Sequence, residues 1–213
     1  MAVERYTVSG IYVERADPAG GATIRPPLLM IHGAFMGAWC WENWLAALPE
    51  HGWTGYAVSL RNHPGSRPVD DQLYRTRQTL ADYLEDVSAV AAHIGRPCIP
   101  VGHSLGGILA QMYAAAHTRQ GTPVPGLVLM ASVPPRPLGP LRTEPVSLDT
   151  AYLPPRSNAW AGDDPVLDGI LRPLTPESPS VMNEYSLGPG VPVERTLIRC
   201  PMLVVSAERD TTV

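Results

Sequence analysis

Residues 98–107, Cys98-Ile-Pro-Val-Gly-His-Ser-Leu-Gly-Gly107, decide how the chain is read. Residues 98–101 are a short apolar run of strand character. From Ser104 to about His117, Leu105, Ile108, Leu109 and Met112 recur at the spacing of one helix face. Between the two lies Gly102-x-Ser104-x-Gly106, where a buried strand turns sharply into a helix. Such a turn lifts a serine hydroxyl clear of the backbone, and glycines on both sides leave room for the neighbouring strand and helix. It also aims the unpaired N–H groups of the helix N-terminus at the place where negative charge would develop. A nucleotide-binding turn would instead need G-x-G-x-x-G and an acidic residue after the next strand, and the sequence offers neither.

Working outward, short apolar runs alternate with helical patterns, which predicts a mostly parallel, twisted α/β sheet with helices on both faces. Residues 5–15 read as an opening hairpin, and Pro27-Leu-Leu-Met-Ile31 as a strand buried on both faces that ends in His32-Gly33. Trp41, Trp44, Leu45 and Leu48 predict an amphipathic helix over 39–48. Residues 54–60 predict a strand, and Arg61-Asn-His-Pro-Gly-Ser66 a polar turn. The clearest helix carries Leu80, Leu84, Val87, Ala91 and Ile94 on one face, with Asp82, Glu85 and Asp86 directed elsewhere. Thr79 can cap its start, and Gly95 ends it. Residues 126–131 and 202–206 complete the strands. The intervening stretch, 132–201, is dense in proline and far longer than a crossover requires, so it reads as an insertion, with helix candidates at 165–172 and 177–187.

With 213 residues, 45% hydrophobic and 17% charged, the chain suits a single folded domain. All 16 basic side chains are arginine, they form no run, and the net charge of -4 leaves no footprint for nucleic acid. No stretch has the length of a membrane span, and the first ten residues contain no apolar leader segment. Cys40, Cys98 and Cys200 lack metal-ligand spacing. Their odd number fits small buried thiols in a reducing cytoplasm.

These landmarks resemble the α/β-hydrolase superfamily, in particular its capped esterase, lactonase and cofactor-free haloperoxidase-like members. His32-Gly33-Ala34-Phe35 is similar to that family's oxyanion loop. Arg61 to Ser66 resembles its R-G-H-G-x-S loop, with departures at Asn62 and Pro64. Gly102 to Gly106 matches its nucleophile elbow, and Pro201 to Asp210 resembles the strand that delivers an acid. The resemblance implies residues 1–132 and 200–213 as core and 133–199 as an inserted, proline-rich cap. It implies Ser104 as nucleophile, the N–H groups of Ala34 and Leu105 as oxyanion hole, and His32 and Gly33 as support for that loop. Asp210 would orient a catalytic histidine, and Trp39 and Tyr185 are candidates for lining an apolar pocket. Serine at 104, where dehalogenases and epoxide hydrolases of this superfamily carry aspartate, points to a small apolar ester, lactone or thioester as substrate. No metal or organic cofactor is implied.

The family order is serine, acid, then histidine. The six histidines, His32, His51, His63, His93, His103 and His117, all precede Asp210. Of these, His63 is the candidate for a substitute base, as a loop residue near the mouth of the site. Three readings stay open: a longer enzyme with roughly 50 to 70 further residues carrying the histidine, by analogy with the family; a degenerate member that binds a small molecule; or a cyclase- or isomerase-like descendant.

Overall fold

A computed structural model describes residues 2–21, 23–135, 141–153, 174–187 and 190–208. Strands β1 (Glu4–Val8) and β2 (Ile11–Ala16) form the expected hairpin, turning through Ser9 and Gly10 at positive φ. They are followed by β3 (Leu28–Ile31), α1 (Glu42–Ala47), β4 (Gly55–Ser59), α2 (Asp71–Thr76), α3 (Leu80–Ile94) and β5 (Ile99–His103). Then come α4 (Leu105–Arg119), β6 (Leu127–Met130), α5 (Pro179–Ser186) and β7 (Met202–Val205). The seven strands lie in one sheet in the order β1-β2-β4-β3-β5-β6-β7, with β4, β3, β5, β6 and β7 mutually parallel.

Strand alternation divides the apolar runs between two faces. Leu29, Ile31 and Val58 join Tyr83 and Val87 of α3 and Leu105 of α4 in the larger core cluster. Met30, Ala57 and Val101 point the other way, onto Trp41 and Leu45 around α1. Both faces are covered, which is why the central strands are apolar without interruption. The chain adds β4 on one side of β3 and then crosses to add β5 on the other. In an open α/β sheet this reversal leaves a crevice beyond the carboxyl ends of the two strands, here at His32 and Ser104.

Helix α3 keeps its expected ends and adds a partner. The Thr79 hydroxyl accepts the Asp82 N–H, and the Asp82 carboxylate accepts the Thr79 N–H at 2.8 Å, a reciprocal capping box. Gly95 closes the helix at φ 71°. Asp86, off the apolar face, is nonetheless buried, and accepts the Arg61 backbone N–H at 2.9 Å and two guanidinium contacts, from Nε (3.0 Å) and Nη2 (2.8 Å), at Oδ1.

Two expectations need correction, and one helix is additional. The helix over 39–48 is broken: a 3₁₀ turn at Ala38–Trp41 precedes α1, and another at Leu48–His51 follows it. The tighter winding of the first turn changes the phase, so Trp41 and Leu45 are buried while Trp44 is exposed, edge-on to Trp41. Helix α2 went unforeseen because six residues hold too little periodicity; Asp70, which accepts the Leu73 N–H at 3.0 Å, is its one local signal. The apolar run at 202–205 predicts a buried strand, yet its side chains are 45% to 58% exposed, and among the described residues its sheet partner is β6.

Of the insertion, α5 matches the expected helix at 177–187 and starts at Ser178, whose hydroxyl accepts the Val181 N–H. The other expected helix, 165–172, lies outside the described residues. Val181, Met182 and Tyr185 of α5 join the main core, and Glu184 accepts the N–H of Leu80 at 2.7 Å. This segment is thus tied to the start of α3.

Removing the charge of Asp86 leaves Arg61 buried without its main counter-ion. Asp86→Asn is expected to lower unfolding free energy by about 3 kcal/mol, read from the urea midpoint at unchanged slope.

Candidate active site

In the β3–β5 pair Ile31 lies opposite Gly102, so the residues that leave these strands, His32-Gly33-Ala34 and His103-Ser104-Leu105, run side by side. Three glycines permit this approach. A Cβ on Gly102 would meet the backbone of Gly106 and Gly107, and one on Gly106 would meet the carbonyls of Ile31 and His32. A Cβ on Gly33 would sit 2.8 Å from His103 Nδ1 and 3.1 Å from the Cβ of Ser104. Gly107 makes room for the Ser132 side chain.

Ser104 takes φ 51° and ψ -117°, a conformation costing a non-glycine residue about 1–3 kcal/mol. Its backbone is held from three directions. The Ser104 N–H donates to the Met130 carbonyl at 3.0 Å, and its own carbonyl accepts the N–H groups of Gly107 (2.9 Å) and Val133 (3.0 Å). Phe35, Asn62 and Ala131 also have positive φ. With Ser104 they follow the carboxyl ends of β3, β4, β5 and β6, so backbone strain collects around the crevice. Asn62, a departure from the family's glycine, has the polar side chain best tolerated at positive φ, and its amide oxygen accepts the Val69 N–H.

His32 is completely buried. Its Nε2 accepts the Leu60 N–H at 3.0 Å, which leaves the proton on Nδ1, and Nδ1–H donates to the Gly33 carbonyl at 2.7 Å. That carbonyl belongs to the same planar peptide as the Ala34 N–H, which therefore points the opposite way. Among the described residues this N–H donates to no other group. The Leu105 N–H stands in the first turn of α4, where amides have no partner within the helix. Burial lowers His32 from 6.5 to about 3, and the neighbouring charge of His63 acts in the same direction, so the ring stays neutral.

His63 differs from expectation. It is fully buried, not at a mouth, and both ring nitrogens are engaged: Nδ1 donates to the Arg61 carbonyl (3.0 Å) and Nε2 to Glu177 Oε2 (3.2 Å). Nothing in the sequence singled out Glu177, a lone carboxylate between prolines. His51, His93 and His117 occupy the last turns of their helices. Trp39 is half-buried, and its indole N–H has no partner among the described residues. Tyr185 is packed in the core and its hydroxyl donates to Met182 Sδ, while Asp210 lies outside the described residues. A cleft of about 240 Å³ past the carboxyl ends of β6 and β7 is lined by Gln111, Ala131, Ser132, Val133, Val204 and Ser206, and Ser104 is not among its lining residues. The three cysteines are free; Cys98 is buried, and Cys40 and Cys200 are partly so. The described residues contain no His, Cys, Asp or Glu cluster able to hold a metal ion, and no helix long and apolar enough to cross a membrane.

A mostly parallel sheet whose fifth strand turns into a helix through a strained serine is the architecture of the α/β hydrolases. Residues 28–213 match the model described as the alpha/beta hydrolase family, and the chain belongs to that family. Esterase PIR7B of Oryza sativa subsp. japonica is 34% identical over 80 residues, which is 38% of this chain and 30% of the rice protein. The aligned part is thus under a third of that relative's length. A solved N-acyl homoserine lactonase, AidH, bound to N-hexanoyl homoserine, aligns with 99% of this chain and 79% of its own at TM-score 0.65 and 18% identity. An epoxide hydrolase from Vigna radiata aligns with 63% of this chain and 39% of its own, at TM-score 0.51 and 20% identity. At these identities the two structures speak to the fold.

The neutral His32 ties stability to pH with a definite sign. Below 6.5 the unfolded chain takes up a proton that the folded ring refuses, so stability falls as pH drops from 6.5 toward 3, by up to about 1.4 kcal/mol per unit from this group. Ring ¹⁵N spectra at pH 5 are expected to show His32 neutral with its proton on Nδ1; an imidazolium there would contradict the assignment.

Proposed function

We propose that this protein is a serine hydrolase that transfers the acyl group of a small apolar ester, lactone or thioester to Ser104. The observation that carries this reading is the strained Ser104 at the β5–α4 turn, beside a Gly33–Ala34 peptide whose orientation is fixed from behind by His32. The Ser104 oxygen attacks the carbonyl carbon while a general base takes its proton. The carbonyl π electrons move onto oxygen, and the tetrahedral oxyanion accepts the N–H groups of Ala34 and Leu105. Collapse expels the alkoxide or thiolate, which leaves with the proton, and water then releases the acid.

Neither amide must reorganise as charge develops. One belongs to a peptide already polarised by the His32 Nδ1–H, and the other to the positive end of α4. In this reading the proline-rich insertion, 133–199, is the cap over the substrate, and Asp210 orients the base. The base itself is assigned to none of His32, His51, His63, His93 and His117. His32 and His63 have both nitrogens engaged, and the other three lie at helix ends away from the crevice.

The test is intact-mass analysis after treatment with a fluorophosphonate, with and without imidazole as an exogenous base. The serine oxygen displaces fluoride, so one adduct is expected, absent from Ser104→Ala. No adduct under either condition would overturn the reading and leave binding without turnover. A further expectation is that proline at position 34, which removes the Ala34 N–H, lowers kcat by about 10²–10³-fold with a smaller effect on KM.

A further inference from the structure

Behind the Gly33–Ala34 peptide lies a buried ionic group that the mechanism above does not use. Glu177 is fully buried, and its carboxylate takes four donors: His63 Nε2–H at 3.2 Å, the Tyr74 hydroxyl at 3.1 Å, the Tyr83 hydroxyl, and the Ser178 N–H at 2.8 Å. These come from four places in the chain, the turn after β4, α2, α3 and the start of α5. The main chain of Glu177 also pairs with Tyr152 in both directions, at 2.8 and 2.7 Å.

The same short segment reaches the loop after β3 twice. Two residues before Glu177, the Thr175 N–H donates to the Phe35 carbonyl at 2.9 Å, where Phe35 is held at φ 71°. Through His63 the contact is indirect: the His63 ring packs on His32, with centroids 4.7 Å apart, and His32 holds the Gly33 carbonyl. An unbroken series of contacts thus runs from the Glu177 carboxylate through His63 and His32 to the peptide that carries the Ala34 N–H.

We propose that Glu177 and His63 are positioning residues, a buried ion pair through which the seating of segment 174–178 sets the direction of the Ala34 N–H. Its catalytic consequence rests on the hydrolase reading above; its structural content does not. When the carboxylate is in place, His63 is an imidazolium, fixed at both nitrogens, and His32 beside it stays neutral and keeps its Nδ1–H on Gly33. When segment 174–178 lifts away, His63 loses its counter-ion in an apolar interior, gives up its proton, and the rear support of the Ala34 peptide loosens. Segment seating and readiness of the site are then one event.

The groups facing His63 agree with this assignment. Burial is the largest influence and opposes its charge, but the charge and hydrogen bond of Glu177, the Arg61 carbonyl and the charge of Asp86 together outweigh it, and the ring is held above its ordinary value. Burial alone would raise Glu177; His63, Tyr83 and the Ser178 N–H bring it down to about 2. Tyr74 and Tyr83 are buried beside the carboxylate, which pushes both phenols up, so they remain donors. His32 presents a neutral ring. Linkage gives the pair a window. The Glu177 contribution to stability is complete above 4.5 and lost as pH falls toward 2, while the His63 contribution is complete below 6.5 and lost as pH rises through its raised folded value.

The experiment compares the full chain with Glu177→Gln, Glu177→Asp and Tyr83→Phe by histidine-ring and backbone-amide ¹⁵N NMR at pH 7.5, with ester turnover measured in parallel. In the unsubstituted protein both ring nitrogens of His63 should carry protons. In Glu177→Gln, which keeps shape and loses charge, His63 should be neutral and the Ala34 amide shifted, with kcat lower by about tenfold or more and KM within about twofold. Glu177→Asp should restore the His63 proton and part of kcat. Tyr83→Phe, the mildest change, should move the Ala34 amide in the same direction by less, and it decides the matter should Glu177→Gln fail to fold. A neutral His63 in the unsubstituted protein, or an Ala34 amide unmoved in every folded variant, would overturn the proposal. A protein without turnover whose amide still responds would sink the hydrolase reading and leave the positioning pair standing.

Discussion

At Gly106 the first turn of α4 lies against the carbonyl oxygens of Ile31 and His32, closer than any side chain would permit. The rest of the site depends on that approach. It brings the N-terminus of α4 to the end of β3, sets Ser104 beside Gly33, and forces the serine backbone into a conformation that its bonds to Met130, Gly107 and Val133 then hold. A methyl group at either Gly102 or Gly106 would push strand and helix apart. Close packing turns three missing side chains into a geometric requirement on everything around them.

The buried histidines and carboxylate behind this crevice are fully paired. Both nitrogens of His32 and of His63 are bonded, and the Glu177 carboxylate has four donors. A buried charge lacking one of these partners would cost several kcal/mol. Such a network therefore tolerates few alternative arrangements. It joins the turn after β4, α2, α3 and the start of α5 to the loop after β3, which lies beside the serine, and that is how a residue far along the chain acts on a backbone amide near its beginning.

What could be read from the sequence was local. The serine between Gly102 and Gly106, the two-faced strand Leu29 to Ile31, and the ends of α3 at Thr79 and Gly95 announce themselves within a few residues. The structure agrees with each. Trp44 was misplaced because a change from 3₁₀ to α-helical winding resets the periodicity that was being counted. Helical spacing puts Asp86 off the apolar face but cannot foresee an arginine 25 residues earlier arriving on the same side. Glu177 gave no signal at all. Its partners lie up to 114 residues away, and between prolines a single carboxylate has no pattern to belong to. Buried polar networks are products of tertiary structure, and short-range patterns are blind to them.

The central claim is that a tetrahedral species on Ser104 rests on the N–H groups of Ala34 and Leu105. The direct measurement is a crystal structure of the protein with an alkyl boronic acid, which adds to a reactive serine as a tetrahedral boronate. The account predicts a bond from Ser104 Oγ to boron and one boronate oxygen about 2.7–3.1 Å from both amide nitrogens. A boronate bound elsewhere, or attached to Ser104 with its oxygens turned away from Ala34 and Leu105, would contradict it.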